Sequence, residues 1–356
     1  MYMEALIIFI LVAIVLLLPY LRETFFAIHS TDEITVKERL PFFDMLRGLA
    51  ILAVILIHTR RFFEMYAPAN DLVFLFTANN LTRFAIPFFL ICSGVLLNPF
   101  AITRKNITDF YLKKVLRIFV PYTIVTLAIA LIAKRIDLFP RLLVTGEASV
   151  PFYFMVVLFQ CYLVYPLLQH IKNKKVLLWG SFFVSLASLF YQDSWYFGDI
   201  PMVTKFLFFF VYGYTKRRDF IEFKTRTKEM HAWLAMVCIY LVLILSLPTL
   251  LYNVRMIYGI ALFNLLFFAQ PYLMSRKILV RALSWIGTLS LWIYLLHYPI
   301  TLWAYRATQT LELNYYLSFF VSMCAASVLS IAVAYAADSL YKVFVRHVFK
   351  TPLRSH

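Results

Sequence analysis

The sequence predicts an all-α, polytopic membrane helix bundle, and three observations carry that prediction. Of 356 residues, 63% are hydrophobic and 15% charged, with a mean hydropathy of +0.80, a balance that suits lipid as the solvent. The apolar residues fall in eleven runs close to the length that about 30 Å of hydrocarbon requires. Lys and Arg crowd into alternate loops between the runs. Soluble-domain and disordered classes are thereby excluded.

In chain order the runs cover residues 3–21, 43–65, 72–97, 115–133, 151–170, 176–191, 201–214, 231–251, 256–273, 283–305 and 315–341. The first has no basic leading segment, Glu4 being its only leading charge, and no small-residue cleavage site before Arg22. It reads as a retained anchor helix, not a signal peptide. Residues 1–40 then form the anchor and a cytoplasmic linker, 41–345 a transmembrane domain, and 346–356 a short basic cytoplasmic tail. The seventh run is the weakest, because only Phe206 to Tyr214 is free of charge.

A nearly uncharged amino end followed by Arg22 places the N-terminus outside, and eleven crossings then put the C-terminus in the cytoplasm. In that orientation the cytoplasmic loops hold 24 of the 34 Lys and Arg, the outer loops seven, and three lie within or at the edge of spans. The formal net charge of +16 is therefore an orientation signal and not a nucleic-acid patch. The expected location is the cell (inner or plasma) membrane, with the lipid bilayer as partner. Cys92, Cys161, Cys238 and Cys324 each sit alone in a different run, without metal-ligand spacing, and read as buried free thiols with no metal.

Ionisable groups at membrane depth cost several kcal/mol unless paired or wet, so each is a functional candidate. In the second run, FFDMLRGLAILAVILIHTRRFF, twelve residues separate Arg47 from Arg60, about 18 Å of helix. At least one charged end must lie in a protein or water cavity. His58 follows Arg47 by eleven residues, close to three helical turns, so both share a face about 16 Å apart. Arg47 can meet an anion at the cytoplasmic end, while a neutral His58 deeper in the bundle can accept a proton from a hydroxyl. The bland alternative makes His58 a satisfied interfacial histidine and Arg47 a snorkelling anchor.

The third run carries Asn79, Asn80 and Arg83 before PFFLICSGVLL, where Pro87 and Ser93-Gly94 allow a kink or close helix contact. Lys113 and Arg117 are four apart on one face at the cytoplasmic start of the fourth run. They either bind phosphate or obey the positive-inside rule. His297, in SLWIYLLH, reads as structural when taken alone, and Asp338 has Lys342 four residues on as a neutralising partner.

Taken in order, D-x-x-R-G-L-A-I-L-x-V-x-x-x-H at Asp44 to His58, PFFLICSGVLL at 87–97, FYLKKVLRIFVPY at 110–122, the run of Tyr153, Gln160, Tyr162 and Pro166, and SLWIYLLH at 290–297 resemble the acyltransferase-3 family of integral membrane acyltransferases. The resemblance covers about residues 41–345 and implies a ten-helix acyltransferase core behind the N-terminal anchor helix, about eleven transmembrane helices in all. It implies transfer of an acyl group, usually acetyl from cytoplasmic acetyl-CoA, to a hydroxyl of a cell-envelope glycan or glycolipid, directly or through a protein-bound acyl group. Arg47 and His58 match the family's essential pair, and Lys113 with Arg117 matches its R-x-x-x-R motif, lysine here keeping the charge but losing bidentate phosphate recognition. Asp44, Arg83, Ser93, Tyr153, Gln160 and His297 are candidates for substrate contact or structural support. Two departures stand out: Phe152-Tyr153-Phe154 replaces the family's Trp-Phe-Leu, and Asp338 is the nearest counterpart of a Glu in its last span. Many members carry a fused extracytoplasmic domain. None is expected here, which suggests a stand-alone enzyme or one served by a separate extracytoplasmic transferase. The rival readings are a polysaccharide or lipid-linked sugar exporter using the same bundle and a membrane subunit with decayed chemistry.

Overall fold

The computed structural model describes Leu17 and residues 19–21, 39–65, 71–190, 196–224, 227–246 and 255–349. The anchor run, apart from those four residues, the linker to residue 38 and residues 350–356 lie outside the described residues. Among the described residues the fold is helical except for one small ribbon, β1 (Tyr196–Phe197) paired antiparallel with β2 (Ile200–Pro201).

The helices, in order, are α1 (Pro41–Glu64), α2 (Leu72–Leu81), α3 (Ala85–Leu96), α4 (Arg104–Lys114), α5 (Val120–Ile132), α6 (Phe139–Thr145), α7 (Tyr153–His170), α8 (Lys174–Phe190), α9 (Leu207–Thr215), α10 (Arg217–Ile221), α11 (Thr227–Ser246), α12 (Arg255–Phe268), α13 (Gln270–Ser275), α14 (Lys277–Thr288), α15 (Ser290–Gln309) and α16 (Tyr315–Phe349). Six stretches are long and apolar enough to cross a membrane: α1, α2 with α3, α4 through α5, α7, α11 and α16. The bent pair of α14 and α15 makes up to seven. The protein is therefore an integral membrane helix bundle, while three of the eleven expected runs form shorter helices. The run at 176–191 becomes the 17-residue α8, that at 201–214 the nine-residue α9, and that at 256–273 the 14-residue α12 followed by α13. Apolarity marks a segment as shielded from water, and burial among other helices satisfies that as well as lipid does.

Inner and outer helices separate by burial. Of the spanning windows in α1, α2–α3 and α7, 61% of residues are buried, against 28% for α4–α5 and 33% for α11 and α16, which therefore face lipid. Cys92 and Cys161 are buried free thiols as expected, but Cys238 and Cys324 sit on outward faces of α11 and α16, where an apolar thiol is equally at ease in lipid. Asp338 and Lys342 do pair, at 2.6 Å.

At the centre, α1 starts with Pro41, whose missing N–H costs nothing at a helix start, and carries Asp44 in its first turn. Lipid-immersed helices gain little from burying apolar area against one another, so close van der Waals packing must hold them. Gly48 of α1 lies directly on the Leu283 backbone of α14, and Gly287 of α14 lies on the Asp44 backbone of α1. After α14 the chain breaks at Leu289 and turns by 77° into α15. α15 then runs beside α1 in the same direction: Arg47 meets Ser290, His58 meets His297 and Tyr298, and Phe63 meets Tyr305.

The ribbon is held from within the bundle. Gln160, near the middle of α7, donates from Nε2 to the Pro201 carbonyl at 2.7 Å and accepts the Val203 N–H on Oε1 at 2.7 Å. This latch explains why α9 is short, since the first residues of its run are committed to ribbon and a 3₁₀ turn, Val203–Lys205.

Candidate functional site

The seam between α1 and α15 carries a charged mouth at one end and a histidine pair at the other. At the mouth, Arg47 Nη2 donates to Ser290 Oγ at 3.0 Å and Nη1 lies 3.4 Å from Asp44 Oδ1. Facing it is the junction of α4 and α5, where Val115–Phe119 forms one π-helical turn and the Val120 N–H reaches back to the Val115 carbonyl. A π turn adds a residue to the helical circuit and so changes which side chains share a face. Lys113 is exposed, whereas Lys114 turns inward, its Nζ 4.1 Å from the Tyr162 ring centroid and 5.5 Å from that of Phe110. Arg117 and Arg47 both lie within electrostatic reach of Lys114, and Tyr162 shares a hydrogen bond with Ser93. Three cations and one carboxylate thus converge where a phosphate-bearing ligand would be welcome.

About 16 Å along α1 from Arg47, the His58 ring stands 5.1 Å from that of His297 and edge-on to Tyr298 at 5.2 Å. His297 is completely buried, and its Nδ1 lies 2.8 Å from the Tyr294 carbonyl and 3.1 Å from that of Ile293. Carbonyls only accept, so the proton sits on Nδ1 and Nε2 keeps a free lone pair. That Nε2 and the Nδ1 of His58 are both buried without partners. Such orphaned nitrogens are uncommon in an interior and mark a place where a ligand hydroxyl or water can be bound. Tyr294 closes the floor by donating its OH to the Pro151 carbonyl.

Arg83 lies in the interruption between α2 and α3, within electrostatic reach of His58, and its Nη2 donates to Asn79 Oδ1 at 2.7 Å. Of the residues singled out in the sequence, Arg47, Asp44, Ser93 and Arg117 gather at the mouth, and His58, His297 and Arg83 around the histidines. Tyr153 stands at the start of α7 in the neighbourhood of Tyr294, Gln160 is committed to the ribbon, and Lys113 points away from the mouth. Sequence reasoning missed Lys114, Ser290 and Tyr298. Lys114 left a local trace as a second lysine beside the spaced pair, and Ser290 as the first residue of SLWIYLLH. Among the described residues no three His, Cys, Asp or Glu side chains cluster as metal ligands.

The arrangement can hold an anion at one end of a helix face and accept a proton at the other. A family profile described as an acyltransferase domain matches residues 40–338, most of the chain. No curated protein and no solved structure matches it.

Proposed function

The chain belongs to the acyltransferase-3 family and is a membrane acyltransferase, and from that premise we propose that it moves an acetyl group from cytoplasmic acetyl-CoA to a hydroxyl of a cell-envelope glycan or glycolipid. The observation that carries this reading is the pair of unpartnered imidazole nitrogens, on His58 and His297, at the far end of a face that begins with Arg47. Lys114, Arg117 and Arg47 hold the donor's phosphates. His58 accepts the proton of the acceptor hydroxyl as its oxygen bonds to the thioester carbonyl carbon, and returns that proton to the departing thiolate as the carbon–sulfur bond breaks. His297, fixed in one tautomer, keeps a hydrogen-bond acceptor facing the same space.

The eleven-span course, with the N-terminus outside and the C-terminus cytoplasmic, belongs to the same proposal. From the second run onward this sidedness is supported by the ties between distant elements, which join residues assigned to one side; the first run lies outside the described residues. Tyr341 with Leu116, Arg217 with Asn98 and Lys174 with Tyr214 fall on the cytoplasmic side, and Tyr316 with Asp71 and Arg141 with Asp199 on the outer. The test uses purified protein in liposomes, with labelled acetyl-CoA on the face that carries Lys113 and envelope glycan on the face that carries Arg141. Label is expected on the glycan in that arrangement and not in the reverse one. Glycan crossing the bilayer without label would favour the exporter and defeat the transferase reading.

The inward turn of Lys114 gives a sharper expectation for donor binding. Lys114→Gln should weaken CoA binding measured by calorimetry by about tenfold or more, the size of a charge-assisted contact, while Lys113→Gln changes it little. A larger loss at Lys113 would return that residue to the site.

A further inference from the structure

Three guanidinium groups, those of Arg60, Arg61 and Arg83, lie within electrostatic reach of His58. Arg60 is ion-paired with Glu64 at 2.5 Å, yet its Nε is buried without a partner. Arg83 differs in kind. Among the described residues its guanidinium hydrogen-bonds to the neutral Asn79 side chain alone, its Nε is buried and unpartnered, and it forms no ion pair. It stands eleven residues beyond Leu72, just past the ten-residue α2, whose length of about 15 Å is on the order of half the hydrocarbon thickness. A cation at that depth with no counter-charge is strongly disfavoured unless something anionic meets it. Glu64 offsets only one of the three charges, so the space beside His58 has an excess of positive charge that the described chain does not neutralise.

We infer that the acceptor is anionic: the hydroxyl acylated at His58 belongs to a sugar or polyol unit that also bears a carboxylate or phosphate, and Arg83 binds that group. The inference rests on the acyltransferase reading and adds the substrate class to it. Arg83 presents Nε and the remaining guanidinium N–H groups as a planar fork, which suits two oxygens of one carboxylate or phosphate. Arg60 and Arg61 add charge without needing to touch the ligand. The proton inventory is unchanged, since the anionic group takes no part in the transfer.

The test uses purified full-length protein, labelled acetyl-CoA and three acceptors: methyl glucoside, methyl glucuronide and glucose 1-phosphate. At least one anionic acceptor is expected to show about tenfold or more higher kcat/KM than the neutral one, and whichever it is identifies carboxylate or phosphate as the source of the charge. Arg83→Gln should erase that ratio, mainly through KM, and Arg83→Lys should retain part of it. Equal use of neutral and anionic acceptors would overturn the inference. So would an equal fall in kcat on all three in R83Q, which would instead make Arg83 a partner of the reacting carbonyl oxygen. Should neither these acceptors nor envelope glycan take label, the transferase reading fails, but binding of methyl glucuronide and glucose 1-phosphate against methyl glucoside, by thermal shift on wild type and R83Q, still decides the inference. If R83Q does not fold, the wild-type acceptor ratio and R83K decide it.

Discussion

His58→Ala is expected to lower acyl transfer by about 10² to 10⁴-fold, the usual value of a positioned general base, while the protein still inserts and folds. The reason for separating the two effects lies in the contacts. The His58 ring touches His297 and Tyr298 but its Nδ1 makes no hydrogen bond, so removing it strands no buried partner. Gly48 and Gly287, which hold α1 to the α14–α15 unit, are ten and more residues away along the chain and untouched by the change. The measurement is transfer from labelled acetyl-CoA by purified variant, alongside its thermal unfolding in detergent. Near wild-type transfer by a folded H58A protein would remove His58 from the chemistry.

Gly287→Leu is expected to have the largest effect on stability. A Cβ at Gly287 would be built into the Asp44 carbonyl, and one at Gly48 into the Leu283 carbonyl, so the obstacle is backbone on both sides with no flexible side chain to yield. Overpacking of this kind costs about 3 kcal/mol, at the upper end of the usual range. In a bilayer there is little hydrophobic force to press the helices back together. The expected result is low yield and a broad, early unfolding transition. Even Gly48→Ala should separate α1 from α14 enough to weaken the Arg47–Ser290 hydrogen bond and lower activity along with stability. A G287L protein with wild-type melting behaviour would mean that the two helices are held elsewhere.

The central helix was legible because its own residues announce it: an apolar body too short between two arginines, and a histidine in phase with the first of them. The partner of that histidine was not, because His58 and His297 are far apart in the chain and each is ordinary in its own surroundings. Only the course of α15 beside α1 joins them. Lys113 was the natural choice from spacing, because residues four apart share a helical face, but spacing does not show that Lys113 is exposed while its neighbour Lys114 turns towards Tyr162. Span counting met a related limit. Hydropathy marks a segment as apolar but does not give the length of its helix, as with α9, whose run begins as a ribbon pinned by Gln160. Arg83 could have been read more fully, since Asn79 stands four residues before it and a neutral amide leaves the charge uncompensated.

Because the glycine contacts fix α14 to α1 and the break at Leu289 launches α15 directly from that contact, Ser290 and His297 belong to one stiff body with Arg47 and His58. The seam therefore works as a ruler. Its two marks, Arg47 and His58, sit on one helix with about 16 Å of rise between their backbone positions and cannot slide independently. A donor that carries its anionic groups on a long arm can touch both at once, whereas one with phosphate next to its acyl carbon reaches only one mark at a time. On the proposed reading, selection of the donor is set by length before any side chain reads its chemistry.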